Sequence, residues 1–292
     1  MRCKSANYSE KGIAGKSEKT CVNLPATPMT YRDLSAQALA EQDYDSFLTE
    51  LANALTDGRR DPNDVVRDTL FQIHFGATDP ESLPLPARVA FHNFDPRNIT
   101  TEPEYYSDID PKLYTPRKPF IWLWQMFDRS SLGLNALFGL RFRRMLAPLI
   151  FKSVGDNFKC WQFVEWSFGY NLTIGNNVVI HRYVLLDDRG GIDIGNDVSI
   201  SDFANVYSHS HDIYDIHKVY TPRTRLGNGV RVTYHATVLA GTQVEDHSMV
   251  GANAVVTRDV PSNHIVGGIP AKTVKVKEAQ KAVAAVPEKL ES

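Results

Sequence analysis

Small aliphatic residues recur every six positions over the last part of the chain. The three runs with this spacing are Ile174, Ile180, Leu186; Ile194, Ile200, Val206; and Leu226, Val232, Val238, Val244, Val250, Val256. A period of six fits neither an amphipathic α-helix, which repeats every 3.6 residues, nor a strand with simple alternation. It predicts a solenoid in which each hexapeptide forms one short strand and one turn, with the aliphatic side chain pointing inward in every coil.

The six-residue spacing is interrupted twice. It slips by two residues at Gly190 and Gly191, and it stops over a histidine-bearing stretch, 207–225, before it resumes at Leu226. Gly-Asn and Gly-Asp steps in the repeats are expected to supply the positive φ of tight turns. Because loops that leave a rigid scaffold often carry functional residues, 207–225 is the first place to look for a site.

The residues before the repeat follow helical patterns. Over 31–75 the apolar spacing predicts helices, and Asp61-Pro62 is typical of the cap and first turn of the second one. Prolines are spread over 76–119 and predict a loop-rich connector, or a cover that lies on another surface. The stretch PFIWLWQMF at 119–127 is too short to cross a bilayer. With LGLNALFGLRFRRMLAPLIF it predicts two amphipathic helices that pack on the next domain, the alternative being a membrane-surface helix.

Composition and charge narrow the class of protein. The chain has 292 residues, 42% hydrophobic, 23% charged and a net charge of −2, which is ordinary for a soluble globular protein. This charge gives no reason to expect nucleic acid or an anionic membrane as the main partner. Cys3, Cys21 and Cys160 are widely spaced and form no CxxC pair, so neither a disulfide framework nor a zinc knuckle is indicated.

These patterns predict a domain organisation. Residues 1–30 are polar, without the apolar stretch of a signal peptide, and are expected to form a disordered tail in a cytoplasmic protein. Residues 31–150 form a helical and loop-rich region, 151–276 a β-helix domain and 277–292 a C-terminal tail. The predicted fold class is mainly β: a parallel β-helix with an N-terminal α-helical, loop-rich extension.

The end of the chain resembles a known family. The run from Ile174 to Lys275, with IGNNVV and VGANAVVTRDVPSNHIVGGIPAKTVK, resembles the hexapeptide-repeat acyltransferases. It is most similar to the branch of maltose and galactoside O-acetyltransferases and polysaccharide-modifying acetyltransferases. The resemblance implies a left-handed β-helix, a homotrimer with acetyl-CoA sites in the clefts between neighbouring subunits, and direct acetyl transfer to a sugar or glycan hydroxyl. It implies no metal, and the choice between O- and N-acetylation stays open.

The same resemblance implies a histidine general base at the root of the loop. In SHSHD the second histidine falls in register with the family pattern, so His211 is the first candidate and His209 the second. A neutral imidazole, with an ordinary pKa of about 6.5, is well matched to taking a proton from an alcohol near neutral pH. Asp212 either orients the imidazole or is an exposed turn carboxylate, and His217 is expected at the surface or an interface.

Acceptor-binding residues are expected one coil earlier, in HRYVLLDD. His181 and Asp188 lie there, and in related sugar acetyltransferases the residue matching His181 is often an acceptor-binding Asn. Tyr214 in the loop is a third candidate. The alternative is that Asp187 and Asp188 are turn residues.

Cofactor-binding residues follow from the resemblance alone. The positions that match those contacting the pantetheine and phosphates of CoA in the family are Ala252, Thr257, Arg258, Lys272 and Lys275. Arg and Lys suit phosphates because they donate charge-assisted hydrogen bonds. Where the family usually has Trp-Ile-Gly, this chain has Arg231-Val232-Thr233-Tyr234, whose bulkier Thr233 and Tyr234 predict a narrower pantetheine groove.

Two other functions are compatible with the pattern. A γ-class carbonic anhydrase on the same fold holds zinc with three histidines across a subunit interface. His181, His209, His211 and His217 supply that residue type here. The other alternative is a non-enzymatic trimeric scaffold. Metal analysis separates the first from an acetyltransferase, and thiol release from acetyl-CoA separates the second.

Overall fold

The structure is a computed structural model that describes residues 34–76 and 79–278. The tail predicted over 1–30 lies outside the described residues, as do Cys3, Cys21 and most of the predicted C-terminal tail. The helices are α1 Ala38–Thr56, α2 Pro62–Phe75, α3 Leu85–Phe94, α4 Pro111–Tyr114, α5 Lys118–Asp128, α6 Ser131–Leu134 and α7 Ala136–Ile150, with 3-10 turns at Pro96–Asn98 and Glu102–Tyr105.

Short strands follow from Ser153 onwards. The first nine are β1 Ser153–Val154, β2 Lys159–Cys160, β3 Glu165–Trp166, β4 Leu172–Ile174, β5 Val179–Ile180, β6 Leu185–Asp187, β7 Ile192–Ile194, β8 Ser199–Ile200 and β9 Asn205–Tyr207. The others are β10 Ser210–His211, β11 Val219–Tyr220, β12 Thr224–Leu226, β13 Arg231–Val232, β14 Thr237–Val238, β15 Gln243–Val244, β16 Met249–Val250, β17 Val255–Val256, β18 His264–Gly267 and β19 Lys272–Val276.

The strands build three faces of a prism. The first face has the order β1-β4-β7-β12-β15, the second β19-β18-β16-β13-β8-β5-β2 and the third β17-β14-β9-β6-β3. Neighbouring strands pair in parallel, except for β18 with β19 and for the separate β10–β11 hairpin, which are antiparallel. From β1 to β17, and leaving aside the hairpin, each coil therefore contributes one strand to every face, as the hexapeptide period predicts, whereas β18 and β19 extend the second face alone.

The predicted aliphatic ladder forms the interior of the prism. Every one of its twelve positions is at most 3% exposed, and stacked positions lie directly opposite each other, as Val206 does with Val238. Each coil buries apolar surface only by stacking on the next. The ladder also begins one coil earlier than the aliphatic pattern indicated, because Cys160 and Trp166 occupy inward positions there at 1% and 6% exposure.

The turn prediction was wrong about which residue has positive φ. The left-handed conformation falls on Asn177 and Asp197, with φ of 57° and 58°, rather than on the preceding glycines. Those glycines are needed for a different reason. A Cβ on Gly175 would lie 2.6 Å from Oδ1 of Asn196 in the next coil, so only glycine allows the coils to approach this closely.

The N-terminal helices pack on the first coil. Asp61 caps α2 by accepting from the backbone N–H of Asn63 at 2.8 Å, which confirms the predicted cap. The prolines of 76–119 begin short helices more often than loops. In α5 the ring of Trp124 lies 5.1 Å from that of Trp166, so the predicted packing of this apolar stretch on the next domain is confirmed. Over 34–76 and 79–278 no helix is long and apolar enough to cross a membrane.

Candidate active site

A cavity of about 630 Å³ opens at the edge of the third face, where β3, β6 and β9 end. Its prism wall includes Ser167, Asp187, Tyr207, His209 and His211. The opposite wall comes from the N-terminal region, through 100–103, Tyr106 and two residues of α5, Trp122 and Gln125. The start of the predicted loop and a cover that the proline-rich segment supplies thus meet at one site.

His209 and Asp187 form a hydrogen-bonded pair in this cavity. Nδ1 of His209 is bonded to Oδ2 of Asp187, and Oδ1 of Asp187 accepts from the hydroxyl of Ser167 at 2.8 Å. Asp187 is 3% exposed, whereas His209 is only partly buried. A carboxylate on Nδ1 fixes the neutral imidazole in the tautomer that carries its proton there, so Nε2 is left to accept a proton from a bound molecule.

The backbone around this pair is held by Ser208, which is fully buried. The Ser208 hydroxyl donates to the carbonyl of Asp187 at 2.6 Å and accepts from the backbone N–H of Gly190 at 2.9 Å. A Cβ on Gly190 would lie 2.3 Å from the carbonyl oxygen of Ser208. The two-residue slip at Gly190 and Gly191 is therefore where the corner after β6 is fastened to the start of the loop.

His211 lines the same cavity but is more exposed than His209 and has no carboxylate partner among the hydrogen bonds of the described residues. It is exposed, and its Nδ1 lies 3.4 Å from the carbonyl oxygen of Ile216, at the limit of a hydrogen bond. Its ring meets that of His209 edge-on, with centroids 5.3 Å apart. Asp212 is the turn carboxylate of the β10–β11 hairpin, because it accepts from the backbone N–H of Tyr214 and from the Tyr220 hydroxyl, both at 2.9 Å.

Asp188 points away from the cavity and is completely buried. Its carboxylate accepts from the backbone N–H groups of Phe168 and Asn171, at 2.6 and 3.2 Å. Burial raises the pKa of Asp188 to about 7. Successive residues of a strand face opposite sides. Asp187 therefore lines the cavity, whereas Asp188 is buried in the corner that follows β6.

The other expected acceptor residues lie outside this cavity in a single chain. His181 is half-buried and stacks on Trp161 with ring centroids 6.2 Å apart, and burial lowers its pKa. Tyr214 is 92% exposed at the end of the hairpin. His217 is exposed in the same hairpin.

The expected CoA residues are all exposed but lie on two faces. Thr257 and Arg258 follow β17 at the edge of the third face, and Ala252 lies in the turn before it. Lys272 and Lys275 belong to β19, on the second face. In the segment Arg231–Tyr234, which differs from the usual family sequence, the Thr233 hydroxyl donates to the carbonyl of Val250 at 2.7 Å, whereas Tyr234 is 56% exposed.

Pattern reasoning did not find the partners that complete the cavity. Ser167 belongs to the first coil, which the aliphatic pattern missed, whereas Tyr106, Trp122 and Gln125 belong to no repeat and come from distant parts of the chain. The adjacent carboxylates at 187 and 188 were the one available signal. Among the described residues, no three His, Cys, Asp or Glu side chains form a possible metal site, so a single chain does not assemble the three-histidine set of the carbonic anhydrase alternative.

No family model matches the chain. The galactoside O-acetyltransferase of Escherichia coli (strain K12) is 27% identical over 137 residues, which cover 46% of this chain and 68% of that protein. The putative lipopolysaccharide biosynthesis O-acetyl transferase WbbJ of the same strain is 27% identical over 113 residues, 34% of this chain and 58% of that one.

Solved structures with the same fold include two acetyltransferases. A maltose O-acetyltransferase from Clostridium difficile 630 has a TM-score of 0.52 at 24% identity and covers 61% of this chain and 98% of its own. A hexapeptide-repeat containing acetyltransferase from Vibrio cholerae has a TM-score of 0.50 at 24% identity, with 57% and 93% covered. The predicted left-handed parallel β-helix is thereby confirmed. The sequence relatives confirm the predicted resemblance to the galactoside and maltose O-acetyltransferase branch of the hexapeptide-repeat acyltransferases, and the solved structures share the fold.

Proposed function

We propose that this protein is an acetyl-CoA-dependent O-acetyltransferase that transfers acetyl directly to a hydroxyl of a sugar or glycan, with His209 as the general base. The observation that carries the proposal is the Asp187–His209 pair in a cavity large enough for a small ligand. The sequence relatives named as O-acetyltransferases support the reaction class.

The reaction follows from these groups. Nε2 of His209 takes the proton of the acceptor hydroxyl while the hydroxyl oxygen forms a bond to the thioester carbonyl carbon. The tetrahedral intermediate then expels the thiolate as the carbon–sulfur bond breaks, and the imidazolium returns the proton to give the CoA thiol. Asp187 holds the imidazole in the competent tautomer and stabilises the imidazolium. His211, whose ring lies 5.3 Å away, is the second candidate for the base.

A route for the donor runs along the edge of the third face. β9, β14 and β17 pair in parallel, with Val206 opposite Val238 and Val238 opposite Val256. The next positions, Tyr207, Leu239 and Thr257, follow one another along this edge away from His209, at about 4.8 Å per coil. We assign the pantetheine arm to this column and the CoA phosphates to Arg258, with Lys272 and Lys275 as further cationic candidates.

The expected assembly is a homotrimer in the cytoplasm, where acetyl-CoA is available. In that assembly the exposed hairpin that carries Tyr214 reaches a neighbouring subunit. His181 and Asp188 remain acceptor candidates only through that assembly or a rearranged corner, since neither lines the cavity of one chain.

The test is CoA thiol release from acetyl-CoA with a panel of sugars and amino sugars, using wild type, His209→Ala and His211→Ala. We expect wild-type turnover with at least one sugar, and a loss of about 10²- to 10⁴-fold in kcat for His209→Ala. A smaller loss is expected for His211→Ala. The reverse ranking assigns the base to His211, and thiol release only with amino sugars indicates N-acetylation. Equal turnover in all three proteins overturns the histidine mechanism.

A further inference from the structure

The cavity is closed on one side by a segment that precedes the repeat. We call this segment, residues 99–109, the cover. It lies across the ends of β3 and β6, and Thr101, Glu102 and Tyr106 contribute to the cavity wall. The N-terminal region of the same chain therefore encloses one side of the cavity, without a contribution from a second subunit.

The cover is fastened to the prism by Arg189, two residues after Asp187. Nε of Arg189 donates to Oδ2 of Asp108 at 2.9 Å, and its guanidinium lies 4.6 Å from the centroid of the Tyr106 ring. The Arg189 side chain is only 8% exposed. The Asp108 side chain is 34% exposed, so water partly screens the ion pair, and the ion pair acts together with the cation–π contact to join the cover to the prism beside the proposed Asp187–His209 pair.

Further polar contacts fix the cover from its other side. Nζ of Lys118 donates to the carbonyl of Ile99 at 2.6 Å and to Oε1 of Glu104 at 2.9 Å. The Tyr106 hydroxyl donates to Oε1 of Glu102 at 2.8 Å, which orients this carboxylate at the cavity wall. The cover is thus a preorganised wall rather than a loose loop.

The position of the cover along the prism assigns it to the acceptor. Seen from His209, the cover lies towards β6 and β3, the earlier coils. The proposed donor route leaves His209 in the other direction, towards β14 and β17. A donor and an acceptor must approach the base from different sides, so the covered cavity is the acceptor side.

The lining of the cavity matches a hydroxyl-rich ring. Its aromatic residues, Tyr106, Trp122 and Tyr207 among them, offer faces for the C–H groups of a pyranose, and Glu102 and Gln125 accept from its hydroxyls. Three lining carboxylates, those of Glu102, Glu165 and Asp187, stand against the single guanidinium of Arg189, which Asp108 already pairs. This charge disfavours an anionic acceptor.

We infer that the cover is the acceptor-selecting element of the enzyme, with Tyr106 and Glu102 as specificity-determining residues and Arg189 as the residue that positions them, for an uncharged glycoside. The inference rests on the proposed function, because only a transferase has an acceptor. It also predicts that the protein binds a neutral glycoside when no acetyl-CoA is present. Tyr105 is the matched control for Tyr106, because it is the adjacent tyrosine, is 86% exposed and does not line the cavity.

The experiment uses the full chain as wild type, Tyr106→Ala, Glu102→Gln and Tyr105→Ala. Calorimetric titration measures the binding of methyl galactoside, methyl glucoside and methyl glucuronoside, and thiol release gives the acceptor KM, the acetyl-CoA KM and kcat. We expect wild type to bind a neutral glycoside, and Tyr106→Ala and Glu102→Gln to weaken its binding and raise its KM about tenfold. The acetyl-CoA KM should stay within about twofold, and Tyr105→Ala should match wild type. Glu102→Gln should also narrow the preference for the glucoside over the glucuronoside.

The outcomes separate this inference from the proposed function. Transfer to a neutral glycoside with an unchanged acceptor KM in both cover variants overturns the inference and leaves the proposed function standing. Glycoside binding that Tyr106→Ala weakens, without any thiol release by wild type, supports the inference and overturns the proposed function. Wild type that binds none of the three glycosides overturns the inference, and so does a tighter fit to the glucuronoside.

Discussion

The prism and the cover meet at one cavity but differ in how their contacts are arranged along the chain. In the prism each inward residue lies against the same position of the next coil, as Ile180 does with Ile200 and Val232 with Val250. The cover is held by single polar contacts between distant positions, such as Arg189 with Asp108, and the Tyr170 hydroxyl accepts from the backbone N–H of Asp110 just after it. The prism therefore repeats one kind of apolar contact in every coil, whereas the cover depends on a few polar contacts that differ from one another.

This difference predicts a separation between stability and selectivity. The prism distributes its stabilisation over equivalent apolar contacts, so substitutions there affect folding before they affect chemistry. The cover contributes one wall of the cavity, so under the proposed function we expect conservative substitutions there to change which acceptor binds. The dyad of Asp187 and His209 lies between the two, on a prism strand end and a loop root.

The largest effect is expected from a charge in the ladder. Val232 is 0% exposed, and Val232→Asp would bury a carboxylate without a partner, so we expect a loss of about 5 kcal/mol or more in the free energy of unfolding. The neighbouring Arg231 is exposed on the same strand, and Arg231→Asp should change this free energy by less than about 1 kcal/mol. Denaturant unfolding followed by circular dichroism measures both. Similar losses for the pair would contradict a dry ladder.

The next effect concerns the junction between the helices and the prism. Arg143 and Asp128 are 1% and 3% exposed and bonded at 2.6 and 2.8 Å, and the second oxygen of Asp128 accepts from the backbone N–H of Phe163 at 2.7 Å. Arg143→Met leaves a buried carboxylate unpaired, which costs about 3–5 kcal/mol of unfolding free energy.

The control for this junction is Arg141 on the same helix, whose side chain is 33% exposed beside Glu41. Arg141→Met should cost less than about 1 kcal/mol. The same denaturant experiment compares the two variants. An Arg143→Met protein as stable as Arg141→Met would show that the junction does not depend on the ion pair.

The sequence was sufficient for the prism because its signal is periodic. The spacing of six located all twelve ladder positions and the two interruptions, at Gly190-Gly191 and at the histidine loop. The same reasoning missed the first coil, because Cys160 and Trp166 are not small aliphatics although they keep the spacing. A broader set of inward residues would have extended the repeat.

The site was less accessible to pattern reasoning. The loop and its two histidines were found, but the carboxylate bonded to His209 comes from 22 positions earlier, and one residue decides whether it faces the cavity or the corner. The sequence ranked His211 first by register, whereas the geometry favours His209 as the proposed base. The cover had no signal beyond Pro103, since contacts such as Arg189 with Asp108 join residues 81 positions apart.

A catalytic test of the dyad is Asp187→Asn. The amide can still accept from Ser167, but it would present its NH₂ group to Nδ1 of His209 and favour the wrong tautomer, so we expect kcat to fall at least about 100-fold with little change in KM. Thiol release from acetyl-CoA measures it. Asp212→Asn alters the hairpin carboxylate instead and should stay within about threefold of wild type. The opposite ranking would transfer the orienting role to Asp212.

The smallest effect is a pH dependence of the free energy of unfolding that arises from the buried carboxyl group of Asp188. Burial raises the pKa of Asp188 from 3.8 to about 7, so between these values the folded protein holds a proton that the unfolded chain has released. The free energy of unfolding therefore falls as pH rises from about 4 to about 7, and this contribution is constant on either side. Asp188→Asn removes the titration, while its carbonyl oxygen still accepts from the backbone N–H of Phe168.

Thermal unfolding at pH 5 and pH 8 tests this contribution in wild type, Asp188→Asn and the exposed hairpin variant Asp215→Asn. From pH 5 to pH 8, Tm of Asp188→Asn should rise relative to wild type by about 2–4 °C for each kcal/mol that the titration contributes. Asp215→Asn should run parallel to wild type. A relative fall for Asp188→Asn would mean that the N–H groups of Phe168 and Asn171 stabilise the carboxylate by more than burial destabilises it. In that case the corner after β6 is held by a buried anion that accepts from these two N–H groups.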